Sequence, residues 1–266
     1  MNKIMKTSVE LVAAGMIGGV VASATTVSAA SYKSELKTKG KLTVGLEGTY
    51  APFSYRSDSG KLTGFEVELV KAVAKKMKLK PVFVQTKFDS LVAGLDAKKY
   101  DVVFNNMSIT PERKKAYAFA QEYLFTESVM ITKKGSKIKD YSDLKGKKAA
   151  QTSSSDFGQA ATKAGATIVS APGFAEALDL VDSGKADVTL NSQDSWGVYK
   201  KAHPKTDLQA KVTKALGETT AAPMLDKKDK KLAAQITKAE KSLQKDGTMK
   251  KLSVKYFGSD LTTEKK

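Results

Sequence analysis

Hydrophobic and polar positions along this chain follow two periods in turn. Lys41-Leu-Thr-Val-Gly-Leu46 reads as a short strand, and Val67, Val70, Val73, Ala74 and Met77 then recur at helical spacing on one face. Residues 81–84 predict a second strand, residues 91–97 a helix and residues 101–104 a third strand. The pattern then restarts with a strand at 147–151, a helix at 156–164, a strand at 167–169, a helix at 174–182 and a strand at 187–190. Strands alternating with helices predict an α/β protein with a largely parallel sheet covered on both faces.

One unit occurs twice. Asp96, Lys99, Asp101, Val102 and Asn105 return at the same offsets as Asp182, Lys185, Asp187, Val188 and Asn191. Each copy is a helix feeding a strand that ends in Asn and one more polar residue, Asn106 in the first and Ser192 in the second. Shared turn grammar alone would give some of this match. The functional reading is that ligands sit at the carboxyl ends of strands in open α/β sheets, so two such ends face each other across a cleft. Residues 228–257 predict two helices broken at Asp246-Gly247 that pack back on the first half. The chain then crosses between lobes twice, near 128–132 and 213–222. Lobe 1 is expected from residues 31–129 and 217–266, and lobe 2 from residues 130–216.

Residues 1–30 read as an export signal. Lys3 and Lys6 precede an apolar stretch over 11–22, and Val27-Ser28-Ala29-Ala30 fits small-x-small cleavage. A membrane anchor is the weaker reading, because spanning takes roughly 20 apolar residues. Removing these 30 of the 266 residues leaves 236, enough for two lobes with real cores. Cysteine is absent, so burial and not disulfides must hold the fold. The thiol that carries the lipid on many Gram-positive binding proteins is missing too. The expectation is a secreted protein, associated with the cell surface without a lipid anchor.

Charge narrows the partners. The chain carries +17, and losing two Lys and one Glu with the signal leaves +16. Arg56 and Arg113 are the only arginines among 45 basic residues. Nucleic-acid readers lean on Arg forks and aromatic platforms, so that class is set aside. Lysines spread along the whole sequence suit anionic cell-envelope polymers; the plainer alternative is a solvated coat that aids solubility.

Candidate ligand contacts cluster near predicted strand ends. In Asn105-Asn-Met-Ser-Ile-Thr-Pro-Glu-Arg113, Thr110 is a natural N-cap and Pro111 a natural first helical residue. Arg113 then sits in the first turn, where a cation is disfavoured unless an anion accompanies it. Its fork suits a carboxylate, and the competing reading is a surface pair with Glu112. Gln151-Thr-Ser-Ser-Ser-Asp156 offers hydroxyls to the same anion, or merely caps the next helix. Tyr50 and Phe88 follow strands and are placed to stack on a ligand, whereas Phe53 reads as core. Catalysis finds little support: His203 is the lone histidine, no zinc-type set exists, no G-x-S-x-G elbow or phosphate loop occurs, and no cofactor is expected. Glu47 near the proposed pocket leaves a carboxylate-driven lyase or dehydratase as a remote alternative.

At Gly48-Thr-Tyr-Ala-Pro-Phe53, Gly64-Phe-Glu-Val-Glu68, Ser108-Ile-Thr-Pro-Glu-Arg113 and Ala186-Asp-Val188 the chain resembles the polar amino-acid solute-binding proteins of ABC importers. The resemblance covers the whole mature chain. It implies a two-lobed, type II periplasmic-binding-protein-like fold with the ligand cleft between the lobes. Ala149-Ala-Gln-Thr152, Gly173-Phe-Ala175, Thr189-Leu-Asn191, Asp246-Gly-Thr248 and Tyr256-Phe-Gly258 resemble the cystine-binding branch. The basic, cysteine-free form is also similar to basic surface proteins of lactobacilli, some of them adhesins, which gives the alternative function of binding acidic polymers or host matrix. Carried over, the family pattern has Arg113, Ser108 and the loop around Ser154 bind the ligand carboxylate. Tyr50 and Phe88 sandwich the ligand, Glu47 faces its side chain or amino group, and Asn106 and Ser192 stand at the strand ends. Ser192 departs from the Asp that relatives use for the α-amino group; Asp194 or Glu47 would have to replace it. The implied partners are a free amino acid and an ABC permease, with the protein itself a monomer and not an enzyme.

Overall fold

The computed structural model describes residues 31–264; the expected export signal over 1–30 lies outside the described residues. In chain order the first elements are β1 (Lys41–Leu46), the hairpin β2 (Tyr55–Arg56) and β3 (Leu62–Thr63), α1 (Phe65–Met77), β4 (Lys80–Gln85), α2 (Phe88–Asp96), β5 (Val102–Val103), α3 (Pro111–Ala116) and β6 (Tyr117–Phe119). There follow β7 (Leu124–Lys133), β8 (Lys148–Gln151), α4 (Asp156–Lys163), β9 (Thr167–Ser170), α5 (Phe174–Asp182), β10 (Thr189–Ser192), α6 (Gln193–Ala202) and β11 (Leu208–Val212). β12 (Glu218–Ala221), β13 (Met224–Asp226), α7 (Lys230–Lys245) and α8 (Thr248–Phe257) complete the fold.

The fold is α/β with two lobes, each on its own sheet. The first sheet has the order β4-β1-β5-β13-β6, and the second has β10-β7-β11 with β12 also paired to β7. Only part of this is parallel. β1 runs parallel to β4 and β5, but β13 is antiparallel to both β5 and β6, and β7 is antiparallel to β10, β11 and β12. The largely parallel sheet expected from the alternation is therefore corrected to a mixed first sheet and an antiparallel second sheet, beside which β8 and β9 form a parallel pair. The cause is the return of the chain: β13 enters the first sheet from the opposite end, after β12 has paired back along the first half of β7.

Burial explains which helices the sequence betrayed. α1 buries Phe65, Leu69, Val70, Val73, Ala74 and Met77 against the first sheet, where α7 and α8 add Leu232, Ile236, Leu243 and Met249. α2 covers the opposite face through Leu91 and Leu95, packed with Tyr100, Val103 and Met224. α6 escapes sequence reading because its buried residues are the polar Asp194 and Ser195, while Trp196 and Tyr199 are only partly buried against the core. Gly64 starts α1 at φ 126°, and a Cβ there would lie 2.2 Å from the Phe53 carbonyl oxygen. That close approach lets the Pro52 and Phe53 carbonyls accept the Phe65 and Glu66 amides and so cap the helix.

The internal repeat has a structural meaning. Asp101 accepts hydrogen bonds from the Lys37 and Thr43 amides, the second at 2.7 Å, and so ties β5 to the start of β1. Asp187 accepts the Lys148 amide at 2.8 Å and ties the approach to β10 to β8 in the same way. In each copy the Asp pins a neighbouring strand, and the Asn four residues later arrives at the cleft.

Candidate functional site

Between the lobes lies a cleft of about 570 Å³, part of it open to solvent. Glu47, Tyr50, Phe88, Asn105 and Asn106 wall it from the first lobe. From the second come Gln151, Thr152, Ser155, Asp156, Phe157, Phe174 and Asn191, with Gly173, Ala177 and Thr189. No Lys or Arg is among these lining residues.

Glu47 follows β1 and is held at both ends by one side chain. Its amide donates to Asn105 Oδ1 at 2.8 Å, and Asn105 Nδ2 donates to Glu47 Oε2 at 2.7 Å. Burial pushes its carboxyl up to about 7; the Asn105 bond pulls the other way, and the charges of Glu176 and Asp89 raise it further. Tyr50 packs on Phe53 at 4.7 Å between ring centroids. Its hydroxyl crosses to the second lobe, donating to Asn191 Oδ1 at 3.0 Å and lying 2.9 Å from Ser195 Oγ. Burial raises its pKa. Phe174 meets the Tyr50 ring edge-on at 6.3 Å. Phe53 itself is fully buried, a core residue.

Asn106 has a left-handed backbone, φ 47°, and its amide donates to Glu66 Oε1. Glu66 is completely buried in the first turn of α1 and also accepts the Tyr123 hydroxyl. Burial raises its carboxyl to about 7, and the Tyr123 and Asn106 bonds oppose that shift. A third buried acid lies in the second lobe, behind the wall. Asp194, in the first turn of α6, has no well-formed hydrogen bond to either carboxylate oxygen. Burial raises its pKa, and the nearby Ser192 hydroxyl and Ser195 amide offset part of this.

Four of the eight candidate residues therefore stand on the cleft wall: Glu47, Tyr50, Phe88 and Asn106. The other four lie behind or beside it. Thr110 caps α3 by accepting the Arg113 amide at 3.1 Å, and Pro111 is the first helical residue. The Arg113 guanidinium turns back to donate to the Ser108 carbonyl at 3.0 Å, and burial lowers its pKa while the charge of Asp156 opposes this. Ser108 lines a neighbouring cavity with Thr110, Asp156 and Thr219. Ser154 is exposed and donates to Asp89 across the lobes. Its neighbour Ser155 is the wall residue, and it caps α4 by accepting the Gly158 amide at 2.9 Å. Gly158 lets that cap sit close, since a Cβ there would lie 2.4 Å from the Thr152 carbonyl oxygen. Ser192 is fully buried, with its amide donating to Asn191 Oδ1 at 2.8 Å and its hydroxyl 2.8 Å from Ser195 Oγ.

Asn105, Asn191, Phe157 and Phe174 are wall residues that the sequence reading did not select. The two Asn were visible as the end of the repeat. Phe157 and Phe174 sit in helix starts, where an aromatic carries no periodic mark of its own.

Comparisons with known proteins agree with this architecture. Residues 42–259 match the model of the bacterial extracellular solute-binding proteins, family 3. A probable amino-acid ABC transporter-binding protein of Haemophilus influenzae is 38% identical over 248 residues, 93% of this chain and 96% of the relative. The L-cystine-binding protein TcyA of Bacillus subtilis is 38% identical over 230 residues, 85% of each chain. The crystal structure of the L-cystine solute receptor of Neisseria gonorrhoeae, unliganded and open, superposes with a TM-score of 0.59 at 36% identity, covering 88% of this chain and all of that one. A family match over nearly the whole described chain, on a two-lobed fold with its cleft at the strand ends, places the protein among the bacterial extracellular solute-binding proteins of family 3.

Proposed function

We propose that the protein captures a free polar amino acid, cystine foremost, in the cleft between its lobes and presents it to an ABC permease, as a receptor and not as an enzyme. The observation that carries this reading is the charge of the cleft. A chain of +17 lines this interlobe cleft with no cation and with the acids Glu47 and Asp156. Such an interior accepts an ammonium group, because an unpaired buried carboxylate is costly until a cation or proton joins it. Glu47 stands on the wall and Asp194 lies buried behind Ser192 and Ser195, and these two acids take the place of the one that Ser192 does not supply. Tyr50, Phe88 and Phe174 offer aromatic surface to the rest of the ligand. Arg113, released from the Ser108 carbonyl, has the fork to hold a ligand carboxylate, with Ser155 and the first amides of α4 on the other side.

Cystine is favoured over other amino acids by the two cystine-binding relatives, TcyA and the gonococcal receptor, and by its two ammonium groups against the two acids of the wall, Glu47 and Asp156. Calorimetric titration with cystine, glutamine, arginine and histidine tests the proposal. One-to-one binding with cystine tightest is the expected result; heat from another amino acid with none from cystine would remove cystine, and no heat from any would remove the receptor reading. The same basic charge supports a second role: electrostatic retention at an anionic cell envelope, which concentrated salt should release by shortening the Debye length to about 3 Å at 1 M.

A further inference from the structure

Eleven exposed lysines of this chain gather on one helical layer of the folded protein. α1, α7 and α8 lie together on one face of the first sheet and share one core. Their exposed lysines are Lys71, Lys75 and Lys76 on α1, Lys230, Lys231, Lys238, Lys241 and Lys245 on α7, and Lys250, Lys251 and Lys255 on α8. The acids of these helices are Glu66 and Glu240, both fully buried, and Glu68, which is paired with Lys255 at 2.7 Å. Asp246, in the turn between α7 and α8, is paired with Lys76 at 2.7 Å. The two acids of this layer that reach its surface, Glu68 and Asp246, are thus each paired with a lysine.

The helices of the second lobe are the reverse. α4, α5 and α6 together hold three lysines, Lys163, Lys200 and Lys201, against Asp156, Glu176, Asp179, Asp182 and Asp194. The helical layer of the first sheet is thus far richer in lysine than the helices of the second lobe, and solubility alone does not call for such a concentration on three adjoining helices.

On α7 the arrangement is linear. Lys231, Lys238 and Lys245 follow each other at seven-residue intervals, with Lys230 and Lys241 beside them, and Ala234 and Ser242 complete the exposed stripe. Fourteen residues of helix place the ends of that row about 21 Å apart. The stripe carries no large apolar residue, and Val254 on α8 is the exposed large hydrophobic among the described residues. An interfacial helix needs apolar side chains to enter a lipid surface, and this face has almost none. It has no Arg and no exposed aromatic for bases to stack on. Lysine remains a good point charge for phosphate.

We propose that the α1–α7–α8 layer is a docking surface for a linear, hydrophilic, phosphate-bearing polymer laid along α7. This rests on the reading of the basic charge as surface retention and narrows it to one face. The probe is long-chain inorganic polyphosphate, titrated against the full mature chain at several salt concentrations. The variant Lys231→Gln/Lys238→Gln/Lys241→Gln/Lys245→Gln is compared with Lys137→Gln/Lys185→Gln/Lys201→Gln/Lys205→Gln, which removes the same charge from the second lobe. The α7 variant should lose at least about tenfold in affinity and its log–log salt slope should fall by roughly 3, since each lost phosphate contact removes 0.7–0.9. The second-lobe variant should stay within about threefold of wild type. Equal losses in both variants would overturn the docking surface and leave diffuse retention standing; no binding by wild type would overturn both. Vesicles of phosphatidylglycerol form the contrasting arm, and tighter binding to them per phosphate, lost in the α7 variant, would overturn the polymer in favour of a lipid surface. Amino-acid titration of the α7 variant should match wild type, which shows the fold intact and keeps the receptor reading separately testable.

Discussion

The two lobes carry the same helix–Asp–strand–Asn unit and put its last residue to different uses. Asn105 spends both ends of its amide on Glu47 of its own lobe. Asn191 instead receives the Tyr50 hydroxyl from the other lobe and the Ser192 amide from its own. One copy fixes a wall, and the other latches the walls together. The buried acids divide unevenly as well: Glu47, Glu66, Asp101, Asp229 and Glu240 belong to the side built on the first sheet, and Asp194 to the other. Repetition of a unit supplies position, and the neighbour that each side chain meets supplies the role.

If the first lobe grips and the second latches, substitutions on the two sides should separate. Arg113→Ala should weaken amino-acid binding by about 30- to several-thousandfold, equivalent to about 2–5 kcal/mol, because a charge-assisted pair is lost in a closed site. Asn191→Ala should cost only about three- to tenfold. Calorimetry of both variants decides, and equal losses would erase the division.

Acidity distinguishes the lobes next. Glu47 and Glu66 have folded-state pKa values raised to about 7 by burial, against an ordinary 4.5. The folded protein therefore binds protons that the unfolded chain has released, and stability declines as pH rises from about 4.5 to about 7. The melting temperature should be higher at pH 5 than at pH 8, and Glu66→Gln should flatten the difference. Ligand binding should run the other way, since an ammonium needs Glu47 ionised: affinity should fall on acidification below about 7. A melting temperature that rises from pH 5 to pH 8 would contradict the assignment.

The two pinning aspartates offer a smaller contrast. Asp101→Ala strands two amides, one of them in a buried strand, and should cost about 3 kcal/mol, a fall of about 6–12 °C for a protein of this size. Asp187 is exposed and accepts one amide, so Asp187→Ala should cost about 1 kcal/mol or less. Tyr50→Phe tests the latch from the first lobe. It keeps the ring against Phe53 and removes the bonds to Asn191 and Ser195, so affinity should drop about three- to tenfold while thermal stability barely moves.

Much of the local structure was legible because local chemistry causes it. β1 and α5 occupy the residues that periodicity assigns them, and Thr110-Pro111 caps α3 as that pair of residues requires. The repeat pointed to both cleft-facing Asn through offsets alone. Long-range geometry was not legible. Nothing near Arg113 in sequence says that its guanidinium turns to the Ser108 carbonyl, and nothing near Tyr50 names Asn191, which lies 141 positions away. β7 hid for another reason: it is one ten-residue strand whose first half pairs with β12 and whose second half pairs with β10 and β11. Sequence shows its length as β-branched and polar residues, and only the partners reveal that one strand serves two neighbourhoods.

The lysine layer has a mechanical consequence. With acids exposed on α5 and lysines crowded on α1, α7 and α8, the surface charge of the molecule is uneven as well as positive. A charged wall exerts a torque on such a body before any contact forms, and the field acts over about a Debye length, near 8 Å in physiological salt. The protein would thus arrive already turned, helical layer first and α5 trailing. Because the cleft opens at the strand ends and the lysines cover a sheet face, a molecule held in that orientation keeps its mouth clear of the surface it rests on.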